Sequence, residues 1–198
     1  MTASVFQPFR LVGGTALSLH CGHRMSEDID MFTDAPYGSI DFKAIEHWLQ
    51  QHFSYVTGAG TDLVAMGNGY IVGDSAANSI KLDVYYTTDP FMQPLQQAES
   101  IRLATIDEIV AMKLDVVQRG GRKKDFWDLH ELSISNRYTP AQMLHLHKLR
   151  YPYTHDEEQI RSGFSNFTHA DADFEPICLR GKIWELIKLD LARHWHTI

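Results

Sequence analysis

The chain has 198 residues, 44% of them hydrophobic and 22% charged, with a formal net charge of −7. That length can bury a core in one domain or in two small ones. The acidic total argues against a broadly basic nucleic-acid clamp, no apolar run approaches the roughly 18 residues of a membrane span, and two distant cysteines, Cys21 and Cys178, suit neither a disulfide framework nor a paired-cysteine zinc site.

Residues Met1 to Arg10 lack the charged-then-apolar layout of a signal peptide, and the two distant cysteines make a reducing cytoplasm the expected location. Arg10 to Gly13 reads as a short strand ending in the pair Gly13-Gly14, and Thr15 to Cys21 as a short helix. Asp28 to Phe32 alternates as a strand does: Asp28, Asp30 and Phe32 point one way, Ile29 and Met31 the other. Ile40 to Phe53 is an amphipathic helix with Phe42, Ile45, Leu49 and Phe53 on one stripe. Between Thr57 and Asp89, β-prone runs separated by Gly, Asn and Thr predict strands near 62–66, 69–73 and 79–86. After Pro94 the pattern turns helical. Thr105 and Glu108 form a capping-box start for a helix to about Arg119, halted at Gly120-Gly121. Further helices are expected at 123–134, from Thr139-Pro140 to 148, at 156–164 and at 180–195. The elements predict an α+β fold, with a mixed α/β core over residues 1–100 and a helical domain over 101–198.

Charge is spread unevenly along that plan. Residues 1–98 hold 4 Lys/Arg against 10 Asp/Glu, whereas 99–150 hold 9 against 7, with Arg119, Arg122, Lys123 and Lys124 crowded together. Such a crowd is either a solvated helix junction or a landing place for phosphates.

Two carboxylates two apart on a strand share a face, roughly 6–7 Å from one another. Their repulsion and lost solvation call for compensation, and a divalent cation with oxygen ligands is the simplest agent. Magnesium favours one or two carboxylates plus substrate phosphates. Lys81-Leu82-Asp83-Val84-Tyr85 offers a third carboxylate, Asp83, provided its strand lies beside the first. A lone Asp-x-Asp is usually a solvent-facing turn, and a glycine pair is usually just a tight turn. A glycine turn that opens a helix can also bind an anion through its N–H groups. Thr15 could add its hydroxyl to a phosphate or cap its own helix. In the helical part, Lys113 interrupts the stripe of Ile106, Ile109, Val110, Met112, Val116 and Val117, so it must snorkel outward or meet an anion. Asp125 and Asp128 share a face of the next helix; one suits its N-terminus, and the other needs Lys113, Arg122 or Lys124 as a partner. The pairs His145/His147 and His194/His196 lack metal-ligand spacing and read as surface or packing residues.

The runs Leu11-Val12-Gly13-Gly14-Thr15-Ala16-Leu17-Ser18-Leu19 and Gly22-His23-Arg24-Met25-Ser26-Glu27-Asp28-Ile29-Asp30-Met31-Phe32 resemble the first motif of the AbiEii/AbiGii toxin-type nucleotidyltransferases, members of the polymerase-β-like superfamily. Two later motifs are similar to Asp107-Glu108-Ile109-Val110-Ala111-Met112-Lys113 and Lys124-Asp125-Phe126-Trp127-Asp128-Leu129, so the resemblance spans residues 10–135. It implies a polymerase-β-like mixed sheet with a helical C-terminal half completing the active-site cleft, and transfer of NMP from an NTP to a hydroxyl with Mg2+. By the same resemblance Asp28 and Asp30 would hold the metal, with Asp83 in a less regular third position. Gly14 and Ser26 would hold phosphate, Arg24 would buttress the site, and Lys113 with Asp125 would form the distal catalytic pair; Gly13, Thr15, Arg24 and Lys113 complete the candidate nucleotide-binding residues. The implied partners are an NTP, the 3′ end of tRNA as acceptor and a cognate antitoxin, with no membrane. A protein or small-molecule hydroxyl as acceptor, and a non-catalytic nucleotide-binding partner subunit, are the alternatives.

Overall fold

The structure, a computed structural model, describes residues 2–58, 66–135 and 137–196. It divides into two units, Met1–Ala16 with Glu27–Thr105, and Leu17–Ser26 with Ile106–Ile198. Among the described residues the first unit carries seven strands: β1 (Arg10–Val12), β2 (Ile29–Thr33), β3 (Tyr55–Gly58), β4 (Gly67–Ser75), β5 (Asn78–Tyr86), β6 (Gln96–Ala98) and β7 (Ile101–Leu103). They form one mixed sheet in the order β3-β4-β5-β2-β1-β7-β6. β2 runs antiparallel to β1 and parallel to β5, and β1 runs parallel to β7.

Strand alternation decides which face is covered. Met31 of β2, Tyr70 and Val72 of β4, and Leu82, Val84 and Tyr86 of β5 turn to one side and are buried. Between β2 and β3 lies helix α2 (Phe42–His52), started by Asp41, whose side chain accepts from the Ala44 amide at 2.9 Å. Its stripe of Phe42, Ile45 and Leu49 joins that buried set, each such side chain contributing about 1.5–3 kcal/mol. Period two then leaves Asp30, Lys81, Asp83 and Tyr85 on the opposite face, away from the apolar core.

The mixed sheet agrees with the expected fold class, with local differences. β3 forms where no strand was expected, and the strand expected near 62–66 lies almost wholly outside the described residues. A β6–β7 hairpin occupies the stretch after Pro94 that reads as helical in sequence. Its strands are three residues long, too short to display a period. β7 is held by long-range pairing, Leu11 opposite Leu103.

The second unit is helical. Helix α1 (Gly13–Cys21) gives it Leu17–Cys21; α3 (Ile106–Gln118), α4 (Lys123–His130), α5 (Pro140–Arg150), α6 (Glu157–Gly163), α7 (Thr168–Asp171) and α8 (Trp184–His196) follow. α4 continues as one π-helical turn over Glu131–Ser135. α3 packs against α4, α5 and α6, and Ile109, Val110, Ala111, Leu114 and Val117 are all buried, the pattern of a central helix. Methyl groups on Gly121 and Gly163 would each come within 2.8 Å of Val117, so both glycines admit close packing there. Thr139 and Gln142 form a reciprocal capping box at the start of α5. α8 begins at Trp184, four residues later than expected. The residues before it pair instead with 23–25: the Met25 amide donates to the Ile177 carbonyl at 2.9 Å and the Leu179 amide to the His23 carbonyl at 3.0 Å.

Candidate active site

In the first unit the β1–β2 register sets Val12 opposite Asp30, so the glycine pair begins next to that carboxylate. Gly13 has φ +68°, and a methyl group there would collide with the Asp30 carboxylate oxygen. Glycine at 13 therefore meets two demands at once, left-handed backbone and room for Asp30. The β2–β5 register sets Asp30 directly beside Asp83 on neighbouring parallel strands. Gly69 of β4 is the register partner of Asp83 on its other side, and a methyl there would sit 2.9 Å from Asp83 Oδ1. Two adjacent carboxylates thus each face a bare glycine.

A cation already answers them. Lys81 Nζ donates to Asp83 Oδ2 at 2.5 Å, with the lysine side chain 52% exposed and the aspartate 18%. The Asp83 hydrogen bond raises the Lys81 pKa, and the charges of Asp83, Asp28 and Asp30 add to it against the opposing effect of burial. The Thr15 hydroxyl donates to the Asp28 main-chain carbonyl, which ties the first turn of α1 to the start of the acidic strand.

Would a magnesium ion suit these residues? It needs hard oxygen donors and accepts one or two carboxylates alongside substrate phosphates. Asp30 and Asp83 meet that need: they are adjacent, all-oxygen, cleared by glycine and matched with a positive charge. Among the described residues no three His, Cys, Asp or Glu side chains converge as a ready-made metal cage. Asp28, Asp30 and Asp83 all act on Lys81, yet they are not preassembled as a three-ligand group. The fit is to a cation that completes its shell with a bound phosphate.

The second unit contains a separate buried ion cluster. Lys113 Nζ lies 2.7 Å from Asp125 Oδ1 and 2.6 Å from Asp128 Oδ2, both aspartates having 0% side-chain exposure. Arg24 grips Asp128 with two donors, Nε at 2.6 Å and Nη2 at 2.8 Å, the two-pronged geometry that arginine offers a carboxylate. His23 Nε2 lies 2.8 Å from the same carboxylate; a carboxylate only accepts, so this nitrogen carries the hydrogen. Asp125 occupies the third position of α4 and accepts from the Arg122 amide at 3.2 Å and its Nε at 3.0 Å.

Burial by itself would raise the Asp128 pKa, but the Lys113 charge and the His23 and Arg24 hydrogen bonds hold it far below the usual carboxylate range. Asp125 is lowered in the same way, burial being outweighed by Lys113 and Arg122. Burial works against the Lys113 charge, yet Asp125 and Asp128 overcome it and raise its pKa. Lys113 therefore meets anions rather than snorkelling. Asp125 is the helix-start carboxylate, and Asp128 takes Lys113 together with two partners not considered from sequence, His23 and Arg24. His23 was legible only as the neighbour of Arg24 in the first motif. A second buried pair that sequence reading missed, Glu108 with Arg150 at 2.7 Å, joins α3 to α5.

A family model described as nucleotidyl transferase AbiEii toxin, type IV toxin–antitoxin system, matches residues 1–191. An uncharacterised protein of Aquifex aeolicus is 27% identical over 161 residues, covering 76% of this chain and 70% of its own. In structure the chain is similar to JHP933 of Helicobacter pylori, with TM-score 0.61 and 20% identity over 96% of this chain and 83% of that one. It is also similar to the nucleotidyltransferase toxin MenT4 of Mycobacterium tuberculosis, with TM-score 0.63 and 15% identity over 95% of this chain and 74% of that one.

Proposed function

The chain belongs to the AbiEii family of nucleotidyl transferase toxins and is a nucleotidyltransferase, and from that premise we propose that it moves NMP from an NTP to a hydroxyl of an RNA acceptor, the 3′ end of tRNA, with Mg2+ held by the first unit. One observation carries the site: Asp30 and Asp83 stand side by side in register, each kept clear by a glycine and balanced by a lysine. Asp28 and Asp30 hold the cation, and Asp83 completes its protein ligands. A magnesium ion held there would supply neutralisation of charge at the α-phosphate and acidification of the attacking hydroxyl. Gly13 and Gly14 present main-chain N–H groups at the start of α1 to the phosphates, while Thr15 fixes that turn against the acidic strand. Lys81, which now balances Asp83, would compete with such a cation for that carboxylate. The acceleration comes from orientation and charge neutralisation, with no covalent intermediate on the chain.

Lys113 and Asp125 keep the catalytic role that the resemblance gives them. Their cluster supports an anion-binding duty, because Lys113, Arg24 and Arg122 outnumber the carboxylates Asp125 and Asp128. A cognate antitoxin is the partner proposed from the family's type IV toxin–antitoxin description.

The test supplies magnesium and NTPs labelled at the α-phosphate, with total tRNA, protein and metabolite fractions as separate acceptors. Label should enter tRNA with the wild type and not with Asp30→Ala. Undiminished transfer by Asp30→Ala would reject the site, and labelling confined to protein or metabolites would reject the acceptor.

A further inference from the structure

Beside the carboxylate row of the first unit lies a second row that the transferase reading leaves unused. Asp30 and Asp83 are register partners, and two positions further along the same parallel strands so are Phe32 and Tyr85. Period two sets all four on one face, the rows about 6–7 Å apart. The ring centres of Phe32 and Tyr85 lie 6.2 Å from one another, with the planes tilted by 52°. Both residues are half-buried, and neither belongs to the apolar core on the other face of the sheet. An aromatic pair that no core encloses can offer its rings to a planar ligand.

The neighbouring strands shape this row into a shelf. Gly67 of β4 is the register partner of Tyr85, and Gly69 that of Asp83, so β4 raises no side chain beside either one. A methyl group on Gly67 would come within 2.7 Å of Tyr85 Cδ1, and one on Gly69 would lie 3.9 Å from the Tyr85 hydroxyl. The ring therefore leans along the bare strand, with its hydroxyl toward the Asp83 row. On the other side Arg10 is the register partner of Phe32. Its guanidinium lies 3.7 Å from the centre of the Phe91 ring and donates to the Gln93 carbonyl at 2.9 Å.

The order of the rows decides which base the shelf meets. The glycine turn lies at the opposite end: Gly13 follows Val12, the partner of Asp30, and the Thr15 hydroxyl donates to the Asp28 carbonyl. With the triphosphate on that turn, pyrophosphate departs toward Asp28. In-line displacement brings the attacking oxygen from the other side of the α-phosphate, which is the side of Phe32 and Tyr85. The step between the rows matches the reach of a nucleoside from its 3′ oxygen to its base.

Resting on the transferase reading above, we infer that Phe32 and Tyr85 are specificity-determining residues that stack the terminal nucleobase of the acceptor strand. The base of the incoming NTP has the same chemistry, and the test separates the two sources.

A short fluorescent single-stranded RNA with a free 3′ hydroxyl, and a matched RNA lacking only the terminal base, are titrated with the full chain without NTP and followed by anisotropy. The wild type should bind the intact RNA about tenfold more tightly. Phe32→Leu and Tyr85→Leu, which keep apolar bulk and remove the ring, should each narrow that preference to about twofold or less. Equal affinity of the wild type for both RNAs, or an undiminished preference in both variants, overturns the inference. In transfer assays each variant should raise the acceptor KM about tenfold and leave the NTP KM unchanged; a rise confined to the NTP KM gives the shelf to the incoming base and refutes the inference. A photoreactive thiouridine at the RNA terminus should cross-link to β2 or β5 of the wild type, which decides the matter even if neither variant folds; attachment elsewhere counts against the shelf. Transfer by the wild type to no acceptor would reject the transferase reading instead, and the binding preference would still decide the shelf.

Discussion

Asp128→Asn retains shape and removes one charge at a fully buried position. The native carboxylate receives Lys113, Arg24 twice and His23, all between 2.6 and 2.8 Å. An asparagine offers one acceptor oxygen and turns an NH2 toward cations that can only donate. Breaking a buried ion pair from one side costs about 3–5 kcal/mol, because the remaining charge stays buried and less compensated. Against a total stability of about 5–15 kcal/mol, that is a large fraction. Each kcal/mol shifts the midpoint by about 2–4 °C in a chain of this size, so circular-dichroism melting should fall by about 6–20 °C. Urea unfolding should show a lower midpoint with an unchanged slope, the mark of altered stability rather than altered compactness. Adding Lys113→Met to Asp128→Asn removes one of the stranded cations and leaves Arg122 to serve Asp125. The double variant should be more stable than the sum of the single losses by about 1 kcal/mol or more. A loss below about 1 kcal/mol in Asp128→Asn, or simple additivity in the double variant, would refute the view that these groups act as one buried network.

Acid unfolding provides a second check. Asp125 and Asp128 have lowered folded pKa values, so their contribution is present above the ordinary carboxyl value and is lost as pH falls through the folded ones. Below about pH 4 the wild type should lose stability more steeply than Asp128→Asn does. Lys113 is raised, so its contribution holds below the ordinary lysine value and is lost only as pH rises past the folded one; stability measured by urea should stay level from about pH 6 to about 9 as far as this cluster is concerned. Gly13→Ala should lose transfer more than tenfold, whereas Gly22→Ala, also at positive φ but with open space around its Cβ, should show only the backbone cost of about 1–2 kcal/mol; equal rate losses would dismiss the role of Gly13 in clearing Asp30. Lys81→Met should tighten Mn2+ binding about threefold or more in calorimetric titration, since the competing ammonium is gone; unchanged affinity would remove the cation from Asp30 and Asp83.

What could be read from sequence follows the range of the physical cause. Alternation placed Asp30 and Asp83 opposite Met31, Leu82 and Val84, and a single register of parallel strands then made the two carboxylates neighbours. Local chemistry placed the start of α5, where Thr139 caps its own helix, while the apolar stripe of α2 points to a start at Ile40, ahead of its cap Asp41. The sequence around Lys113 showed a cation in an apolar stripe and offered it to Asp125 or Asp128 nearby, but it did not show that Asp128 also takes Arg24 and His23, which lie far away along the chain. β7 and the late start of α8 were likewise illegible: each depends on a partner strand, Leu11 in one case and residues 23–25 in the other. Glu108 reads as a capping residue near Thr105, and nothing nearby in sequence points to Arg150 as its partner.

The parallel pairing of β2 with β5 has a consequence for how the chain acquires its chemistry. Parallel neighbours cannot be joined by a tight turn, and here residue 30 pairs with residue 83, far along the chain. Contacts spanning roughly fifty residues close late and slowly during folding. A growing or damaged polypeptide therefore carries both acidic strands without their alignment, and the pair of carboxylates proposed to hold the cation exists only once the sheet has closed.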